Sequence, residues 1–230
     1  MTPNQPSFLV LTLPALAVVL SFVVLILFPA LRLRSHRLLL SFSGAFLLGI
    51  TLFELVPEVY RDFEMRQAGV FIALGILLQI VLEFFSRGAE HGHLHHKKEQ
   101  SGISGMLFLS LGIHAFLEGI PLVQNPDVVW GISIHKIPVA LIFGSFLLGS
   151  GKTPTQSWVV VVIFALMTPL GAIFGNLTML QNIYPYLLAL VIGMILHVST
   201  IILFESSKDH AVNLKRFGVI VLGMVLAYLL

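Results

Sequence analysis

Long apolar runs, each about the length a helix needs to cross a bilayer, follow one another through the sequence from Phe8 onward, separated only by short polar intervals. This repetition constrains the fold more than any single motif. Backbone N–H and C=O groups in hydrocarbon must be bonded within the chain, so only helices or a closed barrel can cross it. Runs of about 20 residues suit helices, because a barrel strand needs only about 9–11. The expected fold class is therefore all-α: a polytopic membrane protein.

The composition leads to the same place. The 230 residues are 57% hydrophobic and 10% charged, with a mean hydropathy of +0.97, whereas an ordinary soluble domain carries about 25% charged residues. The longest polar interval, Ser86 to Gly102, is too short to bury a core of its own. Residues 1–230 thus read as a single transmembrane domain with a polar loop at about 86–102. A pI near 9.1 would suggest a nucleic-acid partner for a soluble protein. Here the basic residues fall in short loops between apolar runs, where they set orientation, and nucleic acid is not an expected partner. The chain has no cysteine, which excludes disulfides and thiolate ligands and leaves nitrogen and oxygen to hold any metal. Met1 to Pro6 lack a basic leader, and the apolar run after them is too long for a signal peptide, so it is expected to remain as a span.

The runs resolve into eight spans, at about 8–30, 38–58, 68–85, 103–123, 127–149, 156–176, 183–204 and 214–230. An even number puts both termini on one side. Arg32, Arg34, Arg37, Arg87, Lys97, Lys98, Lys152, Lys208, Lys215 and Arg216 fall in the odd-numbered loops, against only Arg61 and Arg66 in the others. The positive-inside rule then places both termini outside and the 86–102 loop in the cytoplasm. The expected location is a plasma membrane or a bacterial inner membrane, with multiple passes.

An ionisable side chain at the centre of a span costs at least about 2.5–3.5 kcal/mol, so each one is a functional candidate. His114 and Glu118 stand at i and i+4, about 40° apart around a helix, and can reach one ligand. They could form half a metal site, or a neutral hydrogen-bonded pair that glues helices together. His135 and Lys136 follow in the fifth span, with Pro138 just beyond. Proline leaves the carbonyl of Ile134 without its helical donor, and irregular backbone in a membrane is tolerated where it lines a polar cavity. A break next to His135 is therefore expected. The Lys136 ammonium, about 100° from His135 around the helix, must find an anion. Glu54, Glu83 and Glu118 are the candidates for a salt bridge, and the alternative role is a fixed charge occupying the place of a second metal. Glu54 and Glu58, one turn apart in the second span, offer a cation access route with Asp62 and Glu64 nearby. His197 in the seventh span is either a further ligand or a histidine satisfied internally.

The 86–102 loop contains His91, His93, His95 and His96, a composition that binds metal loosely. Neutral imidazoles suit zinc, copper, nickel and iron. Such a loop could retain or sense metal after passage, or be a polar connector.

Taken together, these residues resemble the ZIP (Zrt-, Irt-like) family of divalent-metal transporters across essentially the whole chain. His114-Ala115-Phe116-Leu117-Glu118-Gly119 is similar to the family's fourth-span signature. His135-Lys136, followed by Val139-Ala140 and Gly144, resembles the fifth span of the branch that has H-K there. Met167-Thr168-Pro169-Leu170-Gly171 and Glu54-Leu55-Val56-Pro57-Glu58 resemble that branch's sixth-span motif and its acidic second-span ending. The resemblance implies a metal transporter rather than an enzyme, carrying zinc, iron, manganese or cadmium to the cytoplasm by alternating access. It carries His114, Glu118 and His135 onto the primary metal site, and Glu54 is expected as a fourth contributor. Val139, Ala115 and Thr168 stand where two-metal members have polar or acidic residues, so one ion is expected, with Lys136 in place of another. The metal is cargo, no cofactor is expected, and a homodimer is compatible with this plan. Two other classes share these residues: an exporter coupled to proton antiport, and a metal-gated sensor or receptor.

Overall fold

The computed structural model describes residues 6–33, 36–62, 64–86, 105–205 and 214–230. The four histidines at 91–96, together with Arg34, Arg87, Lys97, Lys98, Lys208 and the side chain of Asp62, lie outside the described residues. Among the described residues the chain is helical, without a strand. Its α-helices are α1 (Phe8–Leu27), α2 (Arg37–Ile50), α3 (Val56–Asp62), α4 (Met65–Ser86), α5 (Gly105–Gly119), α6 (Val128–Gly149), α7 (Pro154–Gly175), α8 (Tyr184–Glu205) and α9 (Leu214–Tyr228). Short 3-10 turns extend α5 through Ile120–Val123 and lead into α8 through Thr178–Ile183.

Among the described residues, seven stretches are long and apolar enough to cross a membrane, with α2, α3 and the turn between them counting as one. The 15-residue α9 is shorter and packs along α2. The ends follow from local chemistry. Ser7 caps α1 by accepting from the N–H of Val10 at 3.3 Å, and Thr153 and Gln156 form a reciprocal capping box at α7, with Pro154 in the first turn where its missing donor is harmless.

Two prolines act differently from each other. Thr51–Leu55 between α2 and α3 is a π turn, closed by the N–H of Val56 on the carbonyl of Thr51. Pro57 follows, lacking the N–H that an ordinary turn would need, and the helix accommodates it with one wide turn. Pro138 has no such effect. The break expected beside His135 is absent, and α6 is continuous from Val128 to Gly149. Its flanks explain this, because α1 and α2 both pack on α6 and support the helix where one backbone bond is missing.

The helices form two groups. In one, α1, α5, α6 and α7 pack on each other around Phe22, Leu111, Val139, Phe143 and Phe164. In the other, α2 packs on α8 and α9, and α8 on α4. Contacts of α2 with α6 and of α4 with α5 join the groups. At the end of the bundle where α1 begins, a larger core including Val10, Leu55, Val59, Leu122, Val128 and Leu188 runs across both groups.

Close helix approach replaces the hydrophobic driving force that lipid cannot supply. A Cβ added to Gly75 on α4 would strike the backbone of Leu190 on α8, and one added to Gly193 on α8 would strike the backbone of Ile72 on α4. The same reciprocity joins α5 to α7, where Gly119 lies against Thr168 and Gly171 against Phe116. Both crossings bring backbones together beside the buried polar side chains.

Candidate metal site

The one-turn (i, i+4) spacing on α5 puts His114 and Glu118 on one face, and their Nε2 and Oε1 atoms are 2.9 Å apart. From α6, His135 brings its Nε2 to 3.9 Å from the same carboxylate oxygen. One ligand atom from each of the three residues lies within 4.8 Å of the others, a spacing at which a single ion can meet all three. The cluster is sealed: His114 is 3% exposed, Glu118 and His135 0%, and Lys136 2%. Two imidazole nitrogens and a carboxylate oxygen form a donor set that suits zinc and its divalent neighbours.

Lys136 donates to Oε2 of Glu118, and its Nζ lies 5.3 Å from the centroid of the Phe164 ring. Of the three carboxylates open to it from the sequence, Glu118 is the one it meets. The two oxygens of Glu118 thus face different partners, Oε1 the imidazoles and Oε2 the ammonium.

A residue that the sequence reading passed over completes the arrangement. Gln79 on α4 is fully buried and places Oε1 3.0 Å from Nδ1 of His114. Nδ1–H donating to this amide leaves the lone pair of Nε2 facing Oε1 of Glu118, the tautomer that a metal-ligating imidazole takes. Hydroxyls tie α5 on both sides. Thr168 of α7 donates to the carbonyl of Ala115 at 2.9 Å, and Ser110 donates to that of Leu82 on α4. A neutral amide in the midst of an apolar run was the available signal for Gln79.

The other candidates lie elsewhere. His197 on α8 is outside the three-residue cluster and pairs with Glu83 on α4, Nε2 to Oε2 at 2.8 Å, with exposures of 14% and 25%. Glu54 lies in the π turn and is exposed, Glu58 is half-buried, and Glu64 is exposed. The π turn Thr51–Leu55 includes Glu54 and ends before Glu58.

Lipid-length helices around a buried imidazole–carboxylate cluster define a class, that of membrane proteins built to handle a metal ion. Residues 86–230, more than half of the chain and including α5 to α9, match the ZIP zinc transporter family. The chain belongs to that family, and it is a transmembrane metal-ion transporter. A search of curated proteins returns no significant match.

Proposed function

We propose that this protein carries zinc, or iron(II), manganese(II) or cadmium in its place, into the cytoplasm by alternating access through one metal site. His114, Glu118 and His135 are the ligands, and Lys136 stands where a second ion would bind. The observation that carries this reading is the convergence of their ligand atoms within 4.8 Å inside a sealed pocket. An ion that enters exchanges hydration water for two nitrogens and an oxygen. Three protein ligands leave part of its coordination to water, which favours release over permanent retention.

Orientation rests on the basic residues. Arg32, Arg37, Lys152, Lys215 and Arg216 all belong to the end opposite the start of α1, and the positive-inside rule makes that end cytoplasmic. The outer carboxylates Glu54, Glu58 and Glu64 then attract cations, and Glu54 serves access rather than coordination in this conformation. The His197–Glu83 pair lies on the inward route, and the histidines at 91–96 retain metal after passage. Two helix groups meeting at the cluster are suited to rocking of one against the other.

Uptake of radioactive zinc by cells expressing the chain tests the reading. Accumulation in the wild type that is lost in both His114→Ala and Glu118→Ala supports an importer. Faster loss of preloaded metal would make it an exporter, and binding without flux would make it a sensor.

A further inference from the structure

We propose that Lys136 is the counter-cation of the empty carrier, the charge that allows the unloaded site to change its exposure from one side of the membrane to the other. The proposal rests on the carrier reading above and adds what resets it. Net transport by alternating access requires two reorientations, one with metal bound and one without. The second is the difficult one for a site built around a buried anion, because an unpaired charge deep among helices is strongly disfavoured.

The geometry supplies the answer in one side chain. Glu118 is fully buried and Lys136 nearly so. The ammonium takes Oε2, whereas the imidazoles gather at Oε1. The empty site therefore has one negative and one positive charge and is neutral. The two other carboxylates that the sequence offered to Lys136 are placed differently: Glu83 meets His197, and Glu54 is exposed. Lys136 also leaves the metal face of Glu118 open, so an ion can bind through Oε1 while the ammonium keeps its place. Glu118 then serves the metal with a single oxygen, and the nearby positive charge lowers the affinity of the site.

These relations predict a division that a purely structural salt bridge would not produce. Removing the charge of Lys136 leaves Glu118 unpaired only when no metal is present. Reorientation of the empty site slows, reorientation of the loaded site does not, and metal binds more tightly. Lys136→Gln is the sharpest variant, since an amide can still donate to Oε2 without neutralising it. Lys136→Arg keeps the charge.

The test uses the full chain in proteoliposomes. Uptake of radioactive zinc is measured into metal-free vesicles, which requires the empty return, and into vesicles preloaded with non-radioactive zinc, which does not. In Lys136→Gln, zinc binding in detergent is expected to tighten about tenfold, and net uptake to fall at least about tenfold further than exchange, which slows only as far as the slower release of zinc requires. Lys136→Arg is expected to retain both modes. An equal fall in the two modes, or no fall in either, overturns the proposal. Should Lys136→Gln fail to fold without metal, Lys136→Met purified with zinc present throughout supplies the same comparison, because the bound ion gives Glu118 a positive partner. The carrier reading fails separately. Wild-type protein that moves zinc in neither mode is no carrier, and Lys136→Gln that binds zinc no more tightly than wild type then also refutes the electrostatic role.

Discussion

The bundle contains two imidazole–carboxylate pairs of nearly equal length, His114–Glu118 at 2.9 Å and His197–Glu83 at 2.8 Å. Their settings differ. The first is sealed, shared with a second imidazole and balanced by an ammonium. The second is partly open and bridges α4 to α8. Coulomb interactions strengthen as water is excluded, so the same chemical pair is strongly coupled to its neighbours in one place and a modest interhelical tie in the other. Contact length alone does not identify a functional site. Burial and the number of converging donors do.

The largest expected effect is that of Glu118→Ala, which removes the shared ligand and strands Lys136 in a dry pocket. Zinc uptake should vanish, and thermal unfolding in detergent should show a loss of about 3–5 kcal/mol. Next comes Gly193→Val, which forces a side chain against the Ile72 backbone. A loss of about 1–3 kcal/mol, read by the same melting assay, would show that the α4–α8 crossing braces both pairs. Gln79→Leu should weaken zinc binding about 10–100-fold with little change in folding, because it releases the His114 ring from its orienting amide, and calorimetry on the purified protein measures this. Glu83→Gln should be the mildest, with uptake within a few-fold of wild type and stability changed by about 1 kcal/mol or less. Abolition of uptake by Glu83→Gln to the extent seen for Glu118→Ala would erase the distinction between the two pairs.

Much of this was legible in the chain. Apolar runs mark the helices to within a few residues, seven of them at lipid length and α9 shorter, because hydrocarbon leaves the backbone so few choices. The i, i+4 spacing puts His114 beside Glu118, and the cost of burying charge singles out His135 and Lys136. The partner of Lys136 was not legible, since three carboxylates were within sequence reach and only packing selects among them. Gln79 escaped notice because an amide costs less to bury than a charge. Pro57 and Pro138 have the same local chemistry, yet only the first accompanies a widened turn. The difference comes from the neighbours on each helix, which no local pattern encodes.

The aliphatic core that spans both helix groups at the end where α1 begins has a consequence for the cell. Chains of water conduct protons only where polar groups support them, and a constriction lined by Leu and Val empties itself of water. In the conformation described here, the packed apolar side chains at that end offer a chain of water little polar support.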